Sequence, residues 1–504
     1  MIILIIAILF ACKNNPSATT TPNNTPLSSE DASKSQSQNN AAAAQASSIA
    51  SLVANIPSPE IHFQVEGFAN GKAQLVGIYG DQNYLADTMT ITTGGKFRLK
   101  RDTAYNPGLY FIVLPDNQNF QMILDKDQRF EMKTNASDLI GNMKVTGSDD
   151  NDILYQVLNT QVIQERELTP IRNAASGKGP GDPATIALNK KNDEIRAARI
   201  KQLNDFEAKY PGSFAIKFRL AGQNPAVADV KDKNGNVDFN RQSFIFRNEY
   251  WKNFDFKDVR LMNTPLVGNK VKQFFQDLVP QHQDSLIKYM DQVLPQTLGN
   301  PEIFKYLSNY FLIKYEPGKT TLMDGEAVFS HVIKHYYTRQ SAPWLSQGDF
   351  NYLQQRAEEM SHCLLNQKAP DVVAKDPTGA TKSIYEIHTP YIIVYLFHTD
   401  CEHCQKATPE LAAMLPKLKA RGVSMFTIAV NTTDAEWKKF IAQYHMEGFT
   451  NVFDPTNKAV YAKYYVDNTP EIYLINKERK IIAKNLKVEQ IMTVLDRDAK
   501  GDLK

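Results

Sequence analysis

Cysteine is scarce in this chain. Four residues in 504 are too few for a disulfide scaffold, and no second closely spaced pair exists to complete a four-ligand zinc site. An excess of one charge is missing too. Lys and Arg total 57 against 55 Asp and Glu, for a net charge of +2 and a pI near 8.1, so nothing points to nucleic acid or an acidic polymer as partner. At 42% hydrophobic and 22% charged residues, the composition gives no push toward a membrane interior. The glycine-rich stretch Ser176 to Gly181 is not G-x-x-x-x-G-K-[ST], which excludes a phosphate-cradling loop. His331 and His335 stand at i, i+4, a metal-ligand spacing. Without the Glu of H-E-x-x-H they support no zinc protease and read as solvated or core histidines.

What the chain does contain is Tyr391 to Leu411, YIIVYLFHTDCEHCQKATPEL. The apolar, β-branched and aromatic run to Phe397 predicts a buried strand. Ala407, Leu411, Met414, Leu415 and Leu418 then recur at helical spacing. Cys401 and Cys404 therefore fall on the first turn of a helix, close enough to bridge. The unpaired N–H groups and dipole there favour the thiolate of Cys401. Gln405 follows Cys404 where covalent haem attachment needs His, and neither Cys12 nor Cys363 repeats the pair. A dithiol/disulfide couple is the leading reading, with half a metal site as its rival.

Taken in order, a length of 504 residues predicts about three domains. Residues 1 to 11, MIILIIAILFA, are nearly all apolar yet too short by roughly half to span a bilayer. Ending at Leu9-Phe10-Ala11-Cys12, they resemble a bacterial lipoprotein signal, which implies lipidation of Cys12. Residues 12 to 57, rich in Asn, Ser, Thr, Pro and Ala, cannot bury enough apolar surface to order themselves and read as a flexible tether. Short alternating runs from Ile61 to about Val145, punctuated by Asn70-Gly71 and Gly94-Gly95, predict an antiparallel β-sandwich or barrel over residues 58 to 148. It carries no recognisable chemistry. Residues 149 to 367 read as helical. Ile186, Ile195, Ile200, Leu203 and Phe206 mark one long helix, and the aromatics Tyr250, Trp251, Phe254 and Phe256 read as core. Cys363 reads as an ordinary buried thiol.

Over residues 368 to 504, β and α elements alternate. The strand to Phe397, the helix after Cys401 and the strand Ser424 to Val430 come first. Next is a helix opened by the capping box Thr433 and Glu436, followed by Val452-Phe453 and a short helix near Ala459. Strands Ile472 to Ile475 and Ile481 to Ala483 precede a closing helix through Val488, Ile491, Met492 and Leu495. This region resembles the thioredoxin-fold domain of envelope thiol-disulfide oxidoreductases of the TlpA and ResA type. The resemblance implies that Cys401 is the nucleophile, Cys404 the resolving thiol, Pro409 a helix-kinking proline and Thr469-Pro470 the cis-proline loop facing the disulfide. Where thioredoxin carries a buried carboxylate, six positions before the first cysteine, this chain has Tyr395. Glu402, Glu471 or water then become the candidate proton acceptors for Cys404. His403, between the cysteines as in DsbA-type proteins, pulls toward an oxidising disulfide, whereas Asp400 and Glu402 pull the other way.

The whole arrangement is similar to Bacteroidetes-type envelope lipoproteins with a small N-terminal β domain, a helical middle domain carrying phrases such as Tyr250-Trp251 to Asp258-Val259-Arg260-Leu261, and a C-terminal thioredoxin domain. The resemblance implies a lipid-anchored protein of the Gram-negative cell envelope, periplasmic or surface-facing. It would exchange disulfides with protein substrates, draw on a membrane redox partner, and need no cofactor or metal beyond the Cys401/Cys404 disulfide. Three alternatives stay open: a peroxiredoxin-like peroxidase, a copper-handling protein using Cys401, Cys404 and His403 or His398, and a non-catalytic interaction lipoprotein. His398 stands three residues before Cys401, where a peroxidatic motif would place Thr or Ser.

Overall fold

The structure, a computed structural model, describes residues 53–502 apart from 180, 462 and 467. The signal, Cys12 and nearly all of the tether lie outside the described residues. No described helix is long and apolar enough to cross a membrane.

Eight strands from Glu60 to Thr146 form two four-stranded sheets. One orders Lys96–Lys100, Glu60–Glu66, Arg129–Asn135 and Lys144–Thr146; the other orders Gln82–Ile91, Gly71–Tyr79, Gly108–Val113 and Asn119–Leu124. Period-two alternation turns Ile61, Phe63 and Val65 inward, where Phe63 stacks on Phe97 at 4.8 Å. The region is β-rich and not wholly antiparallel as expected, because Glu60–Glu66 and Arg129–Asn135 run parallel, with Ile61 opposite Phe130. The chain between them builds the whole second sheet. A long crossover of that kind lets two strands return in the same direction.

Twenty-seven-residue helices Asp149–Ala175 and Pro183–Lys209 open the middle region, which continues to Gln347–Met360. Tyr250, Trp251, Phe254, Phe256 and Phe274 pack as core, with Trp251 edge-on to Phe254 at 5.4 Å and to Phe274 at 5.3 Å. A single hydrophobic cluster runs from both sheets into these helices. Polar contacts follow the same seam. Asn151 accepts the Ile123 N–H and donates to its carbonyl, both at 2.8 Å, standing in for a neighbouring strand. Arg260 bridges Asp125 at 2.9 Å and Asp258 at 2.6 Å. Gly108 is needed where it is, since a Cβ there would meet the Asn263 Cβ at 2.4 Å. His331 and His335 stack at 4.1 Å on Gly325–Tyr336, and His331 Nε2 lies 2.6 Å from Asp291.

The C-terminal region is a seven-stranded sheet ordered Thr381–Ser383, Val373–Lys375, Thr450–Phe453, Val423–Ala429, Tyr391–Phe397, Glu471–Ile475, Ile481–Ala483. Its three middle crossover strands are parallel. Tyr391–Phe397 takes the centre because it is apolar on both faces. Ile393, Tyr395 and Phe397 meet helix Glu402–Ala420 on one side, while Ile392, Val394 and Leu396 fill a second core behind. The Thr433 and Glu436 capping box forms, each side chain accepting the other's N–H at 3.3 Å.

This sheet is fastened to the middle helices by buried charge. Lys484, without exposed surface, lies 3.2 Å from Glu326 and 3.6 Å from Asp324, and donates to the Cys363 carbonyl at 3.1 Å. Burial alone would lower its pKa, but Glu326 and Asp324 outweigh burial and raise it. Arg356 pairs with Glu316 at 2.5 Å and donates to the Tyr465 hydroxyl at 2.7 Å.

Candidate active site

The central strand delivers the chain to a loop pinned by its neighbours. His398 Nε2 meets the Asn431 carbonyl at 2.7 Å, and the Thr399 and Thr432 hydroxyls pair at 2.8 Å. Cys401 is then the N-cap of Glu402–Ala420, in the position an Asp or Ser usually fills. Its Sγ accepts the Cys404 N–H at 3.2 Å, and its thiol donates to the Thr469 carbonyl at 3.1 Å. The Thr469–Pro470 peptide is cis, and the thiol's bond to Thr469 joins sequence positions 68 apart.

The two thiols differ. Cys401 is partly exposed and Cys404 fully buried. Burial raises Cys401, but hydrogen bonds from Cys404, Thr469 and the helix N-terminal N–H groups outweigh it, and its pKa falls below the ordinary 9.0. Burial, reinforced by the bond to Cys401, pushes Cys404 up to about 12. The arrangement suits attack by the outer sulfur while the inner one is held protonated.

Tyr395 occupies the core behind Cys404. Its hydroxyl pairs with Thr408 Oγ1 at 2.9 Å, and Thr408 in turn donates to the Cys404 carbonyl at 2.7 Å. Burial raises the tyrosine pKa, so a neutral hydroxyl stands where thioredoxin has a carboxylate. Glu471 follows Pro470, yet strand alternation turns it with Tyr473, whose hydroxyl donates to it at 3.0 Å. Tyr473 lies in the core behind the sheet, and Ile472 and Leu474 lie on the Cys404 side. Glu471 is thus on the face away from Cys404, where it is no acceptor for that thiol. Glu402 and His403 are exposed on the first helical turn.

Sequence reasoning missed the contact between this site and the middle helices. A Cβ on Gly318 would sit 2.7 Å from the Asn468 side chain, one residue before Thr469, and Met323 packs against the core that holds Cys404. Among the described residues, no three His, Cys, Asp or Glu side chains are grouped to hold a metal.

Sheet order and the paired thiols define a thioredoxin-like domain. Residues 365–484 match the model of the AhpC/TSA family, and residues 60–154 match a Domain of unknown function (DUF4369). The chain is similar to thiol-disulfide oxidoreductase ResA of Bacillus anthracis, 26% identical over 118 residues, covering 23% of this chain and 67% of that protein. Among solved structures, a thioredoxin-like protein from Bacteroides caccae is 17% identical with a TM-score of 0.46, covering 54% of this chain and 97% of that one. A domain of possible thiol-disulfide isomerase from Cytophaga hutchinsonii is 32% identical with a TM-score of 0.26, covering 27% and 95%. The C-terminal region is an enzyme domain of the thioredoxin-like thiol-disulfide oxidoreductase class.

Proposed function

We propose that this chain is a cell-envelope thiol-disulfide oxidoreductase, lipidated at Cys12 and held off the membrane by residues 12 to 57. The Cys401 thiolate attacks a disulfide in a protein client, forming a mixed disulfide and releasing one client sulfur as a thiol. Cys404 then gives up its proton and attacks the Cys401 sulfur. The second client thiol leaves, and Cys401–Cys404 closes as a disulfide; the client has gained two electrons and two protons. Thr469 and Pro470 present backbone to an extended client strand, while Glu402 and His403 tune the potential. A membrane redox partner resets the pair.

The carrying observation is the Cys401 sulfur, capped by the Cys404 N–H at 3.2 Å and resting on the Thr469 carbonyl at 3.1 Å. The test equilibrates the full chain in glutathione buffers and quantifies both states by alkylation. A reversible Cys401–Cys404 couple is expected. A potential near roughly −270 mV marks a reductase and one near roughly −120 mV an oxidant; absence of any reversible disulfide would sink the proposal.

A further inference from the structure

A cavity of about 420 Å³ opens between helices Asp149–Ala175, Pro183–Lys209 and Phe214–Ala221, in the middle region and apart from the thiols. Four arginines line it: Arg172, Arg196, Arg199 and Arg219. Two are neutralised locally, Arg172 by Glu165 at 2.6 Å and Arg196 by Asp193. Arg199 donates through Nε to the uncharged Gln164 at 2.5 Å, and the charge of Glu165, already paired with Arg172, reaches it as well.

Arg219 is the anomaly. The residue is half-buried, its Cζ lies 5.4 Å from the centre of the Phe218 ring, and its enclosed Nε and Nη2 donate to none of the described residues. Buried donors are almost always satisfied, so an orphaned pair calls for a missing acceptor. Burial and the neighbouring Arg199 push its pKa down to about 10. It therefore stays charged at neutral pH, facing a second cation, at a cost that a bound anion would remove. Guanidinium forks match carboxylate and phosphate oxygens in a bidentate way. Leu168, Ile195, Phe218 and Leu266 give the wall an apolar side, beside amides such as Asn192 and Asn269 and the Glu165 carboxylate that Arg172 holds, and the volume suits a small organic molecule.

We infer that this cavity binds a small organic anion, its carboxylate or phosphate head on Arg219 and Arg199 and its apolar body against Leu168, Ile195 and Phe218. Such a site gives the middle region a ligand of its own, independent of disulfide exchange.

The test titrates the full chain, by calorimetry, with hexanoate, hexyl phosphate, inorganic phosphate and hexanol. One of the two alkyl anions is expected to bind once per chain, at least roughly tenfold tighter than inorganic phosphate or hexanol. The tighter of the two identifies the head as carboxylate or phosphate. Arg219→Met is expected to weaken that binding at least roughly tenfold, with the far-UV circular dichroism and the Cys401–Cys404 potential unchanged. Should that variant not fold, Arg199→Gln at the same wall is expected to give the same loss. The inference is overturned if neither alkyl anion saturates below about 10 mM, if hexanol or inorganic phosphate binds as well, or if the folded variant binds like the parent.

Discussion

Replacing Lys484 by Met tests the fastening between the C-terminal sheet and the middle helices. The ammonium is wholly buried between Glu326 and Asp324 at 3.2 and 3.6 Å, so its removal strands two enclosed carboxylates. Breaking a buried pair from one side costs about 3–5 kcal/mol, roughly a fifth or more of the stability of an ordinary domain. Adding Asp324→Asn and Glu326→Gln to the Met variant removes the stranded charge and is expected to restore most of the loss. The pH dependence has a definite sign. In the parent, Lys484 titrates above its ordinary 10.5, so its contribution is complete below the unfolded value and is lost only as pH rises through the folded one. Burial already raises the Asp324 carboxyl in the parent while Lys484 lowers it, so in the variant it titrates further above its unfolded value near roughly 4. Its penalty therefore shrinks as pH falls through the raised folded value. Guanidinium unfolding curves at pH 7 and near pH 5 measure both effects. A Met variant within about 1 kcal/mol of the parent at pH 7, or a deficit that grows on acidification, would refute the reasoning.

Iodoacetamide should modify Cys401 first, with an inflection below pH 9.0, while Cys404, at about 12, stays unreactive through neutral pH; equal rates for both thiols would contradict their assigned environments. Tyr395→Phe removes one buried hydrogen bond and should cost about 1 kcal/mol while leaving the rate of mixed-disulfide resolution within roughly tenfold, because a tyrosine held neutral is no base; a much larger rate loss at unchanged stability would make it one. Asn151→Ala strands the Ile123 N–H and carbonyl and should cost about 2 kcal/mol, read as faster exchange of the Ile123 amide; an unchanged exchange rate would mean water replaces the side chain.

Legibility in the sequence followed the range of the interactions involved. The strand Tyr391–Phe397, the N-terminal placement of Cys401 and the Thr433 capping box depend on neighbours within a few residues, and their patterns are explicit. The parallel pairing of Glu60–Glu66 with Arg129–Asn135 leaves no such trace, since alternation fixes which face a residue takes and not which strand lies alongside. Glu471 is a candidate proton acceptor for Cys404 by sequence alone; counting by twos from Tyr473 turns it to the other face. Lys484, in the polar stretch Ala483 to Lys487, gives no sign of burial, because its partners come from a helix about 160 positions earlier. Arg219 likewise becomes an anomaly only once the cavity around it is closed by other helices.

Asn468 against Gly318, and Tyr465 against Arg356, give the redox loop a mixed parentage. Asn468, two residues before Pro470, meets Gly318 from the segment between Tyr315 and Asp324, and the Tyr465 hydroxyl accepts from Arg356. A fragment cut near residue 365 would keep both thiols and the sheet that carries them while baring this flank. Such a fragment would lack the Gly318 and Arg356 contacts, so the difference between its reduction potential and that of the full chain would measure what this flank contributes to the pair.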